Sequence, residues 1–151
     1  MMTRSRRLRP VADYSDSRER EAARSLGASQ EQLAAARRTL QELSVYRDEY
    51  LRQMQGAGAR GLPAQRVRMY QQFLNRLDQA IVLQEQRVKQ AGMEMEKKRQ
   101  AWLERRCRSK AIHKVVSRYR HQERLQDDRR EQREQDDRGA KAQRMHRDRE
   151  S

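Results

Sequence analysis

Bulky apolar residues are scarce in this chain: one phenylalanine, one tryptophan, and 34% hydrophobic residues against 38% charged ones in 151 positions. That supply cannot fill a globular core, so helices paired along a narrow stripe are the architecture within reach. Two prolines and six glycines leave few interruptions, and no segment reads as a strand. A single cysteine excludes an internal disulfide framework and fits a reducing compartment. No apolar run approaches the roughly 18 residues that span a bilayer, and the N-terminus lacks the apolar segment of a signal peptide. The expected location is the cytoplasm.

What the chain does have is a sustained seven-residue register. Steps of three and four from Val67 give Val67, Tyr70, Leu74, Leu77, Ile81, Gln84, Val88, Ala91, Met95, Lys98, Trp102, Arg105, Ser109, Ile112, Val116 and Tyr119, of which twelve of sixteen are apolar. A second series runs Ala22, Leu26, Ser29, Leu33, Ala36, Leu40, Leu43, Arg47, Tyr50 and Met54, eight of ten apolar. Leu8 and Val11 are candidates to extend it upstream, with Pro10 expected in a first turn, where a missing N–H costs least. Ser15, Asp16 and Ser17 are the candidate N-caps. Between the two series, three glycines and a proline fall within Gly56–Pro63, enough to stop a helix and reverse the chain.

A period of 3.5 buries one stripe against another helix and nothing more. The expectation is an all-α fold: a long antiparallel two-helix coiled-coil hairpin with a charged, frayed or disordered C-terminal tail. Its parts are a basic arm or helix start at 1–12, a first helix at 13–55, a turn at 56–64, a second helix at 65–122 and a tail at 123–151. Facing residues are expected to have numbers summing to about 120, which sets Tyr50 against Tyr70 and Ala36 against Gln84. Gly27 and Gly92 then share a level and mark a soft point. The tail, with ten basic and nine acidic residues from 120 on, has no stripe to pin it.

The net charge of +14 is uneven: +4 in residues 1–9, zero in 10–65, +9 in 66–119 and +1 beyond. Between Lys97 and Arg118, nine basic residues stand against Glu104 alone. Such a surface attracts acidic proteins, anionic lipid or nucleic acid. A basic-zipper protein, however, places its basic helix before a parallel zipper, and here the order and direction differ. Nucleic-acid binding is therefore a minor alternative.

Catalytic signals fail one by one. Gly56-x-Gly58-x-x-Gly61 spells a dinucleotide fingerprint, but that motif works only between a strand and a helix. His113, His121 and His146 are too dispersed for a metal site, with no acidic residue to help them. Cys107 among Arg105, Arg106 and Arg108 reads as an incidental exposed thiol. A two-helix pair offers no pocket for a nucleophile and base. No enzyme activity, cofactor or metal is expected.

Tyr46, Phe73 and Ala80 lie beside the seam rather than on it, and large exposed aromatics favour a contact surface. Leu43-x-x-Tyr46-Arg47-x-Glu49-Tyr50, then Tyr70-x-x-Phe73-Leu74-x-x-Leu77-x-x-Ala80-Ile81-x-x-Gln84, with Trp102 downstream, resemble the FliJ family over roughly residues 5–120. These are small coiled-coil components of the bacterial flagellar type III export apparatus. The tail has no counterpart in the resemblance, and Gln84 stands where some relatives carry histidine.

The resemblance implies a hairpin similar to the central stalk of rotary ATP synthases. It implies insertion of the end bearing both termini into the hexameric export ATPase FliI, which works with its regulator FliH. It further implies contact of the loop-proximal surface with the gate protein FlhA and a role with export chaperones, at the inner face of the plasma membrane. The gate-contact residues it implies are Leu43, Tyr46, Tyr50, Phe73, Leu77, Ala80 and Gln84. The basic end expected to meet the ATPase comprises Arg4, Arg6, Arg7, Lys98, Arg105, Arg106, Arg108 and Lys110. A virulence injectisome stalk shares the architecture and is the runner-up, with the tyrosine and phenylalanine pattern favouring the flagellar case.

Overall fold

The computed structural model describes residues 2–150 and contains two helices, α1 (Arg4–Gly58) and α2 (Ala64–Glu150). Among the described residues there is no strand. The chain divides into two units, each made from both helices: a terminal unit (residues 1–19 and 105–151) and a loop unit (residues 20–104).

In the loop unit the register is realised as read. All ten positions of the Ala22–Met54 series are buried or half-buried, as is every position of the second series from Tyr70 to Trp102. Val67, beside the loop, is exposed. Leu33 and Leu77 retain 5% and 7% of their accessible surface. Two polar residues are buried there without cost to hydrogen bonding. Ser29 donates to the Leu26 carbonyl at 2.7 Å within its own turn, and Gln84 Nε2 donates across the pair to the Ala36 carbonyl at 3.0 Å. That contact and the Tyr50–Tyr70 ring pair fall where a fixed sum of 120 places them.

The reversal is tight. Arg60 N–H and Gly61 N–H donate to the carbonyls of Ala57 and Gly58, and Gly61 takes a left-handed φ of 84°, which a side chain would strain. Pro63 then receives the amides of Arg66 and Val67 and opens α2. Both helices run unbroken through Gly27 and Gly92. A Cβ on Gly92 would lie 4.0 Å from Leu33 Cδ1, so this glycine packs in the seam rather than marking a break.

The terminal unit corrects several expectations. Helix α1 starts at Arg4, within the 1–12 segment expected to hold an arm or the helix start, and so extends well before residue 13: Thr3 caps it, its Oγ1 accepting from Arg6 N–H at 3.4 Å, while Ser15 and Asp16 turn toward the seam instead of capping. Pro10 therefore lies past the first turn and forgoes one helical hydrogen bond. Ala12, not Val11, is the buried upstream residue, because stepping back from Ala22 in threes and fours reaches Glu19, Ser15, Ala12, Leu8 and Ser5. Cross-helix contacts also sit three to nine residues farther along α2 than a sum of 120 predicts: Arg4 with Tyr119, Ser5 with Glu123, Asp16 with Ser109 and His113. Ser5 bonds through its own amide and Asp16 and Ser109 are short, so the offset lies in the register of the two helices within this unit and not in side-chain reach alone.

The tail is the largest departure. Helix α2 continues to Glu150 instead of ending at 122, and residues 124–150 are exposed throughout. Helix here needs no seam. The segment has no proline, holds eight Arg and four Gln, and places opposite charges four apart, as in Glu134 with Arg138 and Asp137 with Lys141. Side-chain contacts of that spacing join Gln132 to Asp136 and His146 to Glu150.

Candidate protein-docking surfaces

In the loop unit, the seam gives way to an aromatic cluster. Tyr50 packs against Tyr70 (5.2 Å between centroids) and Phe73 (4.5 Å), and Tyr46 meets Phe73 edge-on at 6.0 Å and 77°. Burial, and then the phenols of Tyr70 and Tyr46, push the Tyr50 hydroxyl above its ordinary pKa. Tyr46 keeps 49% of its surface and forms the outer edge of the cluster.

The seven gate-contact candidates thus separate. Tyr46 is exposed; Leu43, Tyr50, Phe73 and Ala80 are half-buried; Leu77 and Gln84 are buried in the seam. The last two support the surface from behind, Leu77 by packing and Gln84 through its bond to Ala36. Arg47, a seam position of α1, reaches out to Asp78 in a partly exposed ion pair. Such pairs are worth at most about 1 kcal/mol.

The eight basic-end candidates separate as well. Arg4, Arg6, Arg7, Arg105, Arg106, Arg108 and Lys110 belong to the terminal unit, whereas Lys98 belongs to the loop unit and pairs with Glu94 on its own helix at 3.9 Å. Arg4 stacks over the Tyr119 ring at 5.7 Å and Arg105 is half-buried in the seam. Arg4 and Ser5 meet Tyr119 and Glu123, so the N-terminal arginines flank the far edge of the basic run rather than lying alongside it.

Two polar contacts of this unit escape a reading by hydrophobic period. Ser5 donates to Glu123 through its amide (3.1 Å) and hydroxyl (2.7 Å), and these two bonds, the hydroxyl's first, hold the Glu123 carboxyl below the usual range. Asp16 Oδ1 accepts from Ser109 Oγ at 2.7 Å and lies 2.8 Å from His113 Nε2. His113 therefore does have a carboxylate beside it, as His146 has Glu150, contrary to expectation. Among the described residues no three His, Cys, Asp or Glu gather as a metal site, and no helix is long and apolar enough to cross a membrane.

Aromatic edges and charged flanks on paired helices suit a protein that docks to others. The family model for the flagellar FliJ protein matches residues 4–150. The chain belongs to the FliJ family. No curated protein and no solved structure matches it. As a FliJ-family member it is a structural component of the flagellar export apparatus and serves protein transport. The match takes in the helix beyond residue 120, which the resemblance carried by the aromatic residues did not reach.

Proposed function

We propose that this chain is a non-enzymatic coupling stalk, which engages the hexameric export ATPase FliI through its terminal unit and the gate protein FlhA through its loop unit. The observation that carries this reading is the pairing of an exposed aromatic edge, Tyr46 on Phe73, with a separate unit of strong positive charge. Residues 1–19 and 105–151 carry a net +9, against +5 for residues 20–104. Positive charge draws an acidic partner in quickly and lets go as salt rises. An aromatic edge gives a partner buried area in place of long-range attraction. The chain acts in the cytoplasm at the inner face of the membrane, and assists export chaperones.

The division of labour is testable with purified FliI hexamer and the cytoplasmic domain of FlhA. Reversing charge at Arg105, Arg106 and Arg108 is expected to weaken ATPase stimulation and spare gate binding. Phe73→Ala is expected to weaken gate binding about tenfold or more, the scale of a buried aromatic contact, and spare ATPase stimulation. Equal loss of both contacts from each variant would sink the division.

A further inference from the structure

All of the loop unit's net charge of +5 is gathered at its loop end. Residues 20–49 carry five basic and five acidic side chains, and residues 78–104 carry five of each again. The excess lies in residues 50–77, which hold Arg52, Arg60, Arg66, Arg68 and Arg76 and no Asp or Glu. All five arginines are exposed, and among the described residues no carboxylate pairs with any of them. Asp78, the first acid beyond the stretch, is taken by Arg47.

Apolar side chains stand among these charges. Met69 and Val67 keep 67% and 37% of their surface, and Leu62 is half-buried in the reversal. Arg66, Val67, Arg68 and Met69 are consecutive exposed residues at the start of α2. At about 100° per residue they ring the helix instead of forming a stripe on one side. Arg60 in the reversal and Arg52 in the last two turns of α1 carry the ring across to the other helix. Arg66 and Arg68 follow Pro63 by about 5 and 8 Å along α2, within one Debye length at physiological salt. A charged surface that meets the reversal therefore acts on both, and on Arg60.

We propose that this end docks on an anionic bilayer surface, with the arginines at headgroup phosphates and Leu62, Val67 and Met69 at the edge of the acyl region. Arginine suits that boundary because its stem lies along apolar surface while the guanidinium stays with phosphate. The ring of mixed side chains favours a bilayer, whose soft surface receives a protruding end from all sides, over a folded acidic protein that meets one face. Nucleic acid would match the charge, but its bases stack on aromatic rings, and residues 51–69 contain none. The contact lies on the membrane without crossing it, since no helix among the described residues is long and apolar enough to span. The inference goes beyond the FliI and FlhA assignments and rests on neither.

The full-length chain can be titrated with vesicles of phosphatidylcholine alone and with vesicles containing about 30% phosphatidylglycerol. Binding to the anionic vesicles only is expected, with a loss of about tenfold or more between about 50 and 300 mM salt. Each arginine near such a surface is worth roughly fivefold, so Arg60→Gln/Arg66→Gln/Arg68→Gln should lose roughly a hundredfold. Arg87→Gln/Lys89→Gln/Lys97→Gln removes the same charge from exposed positions of the same unit and should lose under about threefold. Met69→Ser should weaken binding about fivefold at either salt. An environment-sensitive dye on Gln65→Cys, in a Cys107→Ser background, should shift to the blue with anionic vesicles, whereas the same dye on Cys107 should not. Circular dichroism should show all variants equally helical. No preference for the anionic vesicles, equal loss from the two triple variants, or a dye shift at Cys107 as large as at position 65 overturns the proposal. So does a loop-end triple variant that keeps vesicle binding and loses the cytoplasmic domain of FlhA, which would assign these arginines to an acidic protein. The vesicles contain no protein, so their result leaves the FliI and FlhA reading to its own test.

Discussion

In the loop unit the buried apolar residues are Leu26, Leu33 and Leu77, whereas among the described residues of the terminal unit they are Ala12 and Val116, with Ser5 also buried. The first unit closes around side chains that must leave water, and its polar seam residues, Ser29 and Gln84, are satisfied by backbone carbonyls. The second closes around Ser5 with Glu123, and Asp16 with Ser109 and His113, bonds that water can replace. One helical register therefore produces two kinds of pairing. Burial of leucine is insensitive to pH and salt, while a seam of charged hydrogen bonds responds to both.

That contrast is sharpened most by Leu33→Ala. Deleting a side chain at 5% exposure that also packs on Gly92 should cost about 2–4 kcal/mol, read by urea denaturation, with amide exchange rising across residues 26–40 and 84–98. A cost below about 1 kcal/mol would mean that the loop unit is not leucine-locked. Next in size is Ser5→Ala, expected to cost about 1 kcal/mol and to speed exchange only near residues 4–8 and 119–123.

The same bonds set a pH dependence. The folded Glu123 carboxyl sits below its unfolded value, so its contribution is present above the ordinary glutamate range and is lost as pH falls through the lower, folded value. Acidification should thus loosen pairing at Ser5 before it loosens the leucine layers, and Ser5→Ala should remove that pH response. Glu96 is lowered in the same direction by Arg99 and then Gln100, but within α2, so its protonation opens no seam. The smallest effect, of opposite sign, belongs to Gly27→Ala. An added Cβ meets nothing within 4 Å, and the helix should gain somewhat under 1 kcal/mol in the same urea titration.

The contrast also explains what the amino-acid order revealed. Leucine layers repeat every seven residues and belong to one helix at a time, so Leu26, Leu33, Leu40 and Leu77 declared themselves. The start of α1 did not, because Ser5 gains its role from Glu123, 118 residues away, and no local period marks such a pair. Val11 drew attention as an apolar residue, yet the smaller Ala12 is the one the register buries. The tail departs from expectation for a related reason: the absence of a stripe removes tertiary pairing, but local charge spacing and propensity still form helix. Of the candidate contact residues, those beside the seam (Tyr46, Phe73) stood out by residue type. That Leu77 and Gln84 face inward follows from their register positions, which outweigh their place in the family's pattern.

The central claim is that α1 and α2 pair within a single molecule. Ala35 and Gln86 are exposed positions at matching levels of the loop unit, and spin labels there can be attached without disturbing the seam. Paired helices lie about 8–10 Å apart axis to axis, so dipolar spectroscopy should give a distance below about 30 Å, unchanged when labelled chain is diluted tenfold with unlabelled chain. One continuous helix would separate those positions by roughly 75 Å. A separation of that size, or a short distance that disappears on dilution, would contradict the account.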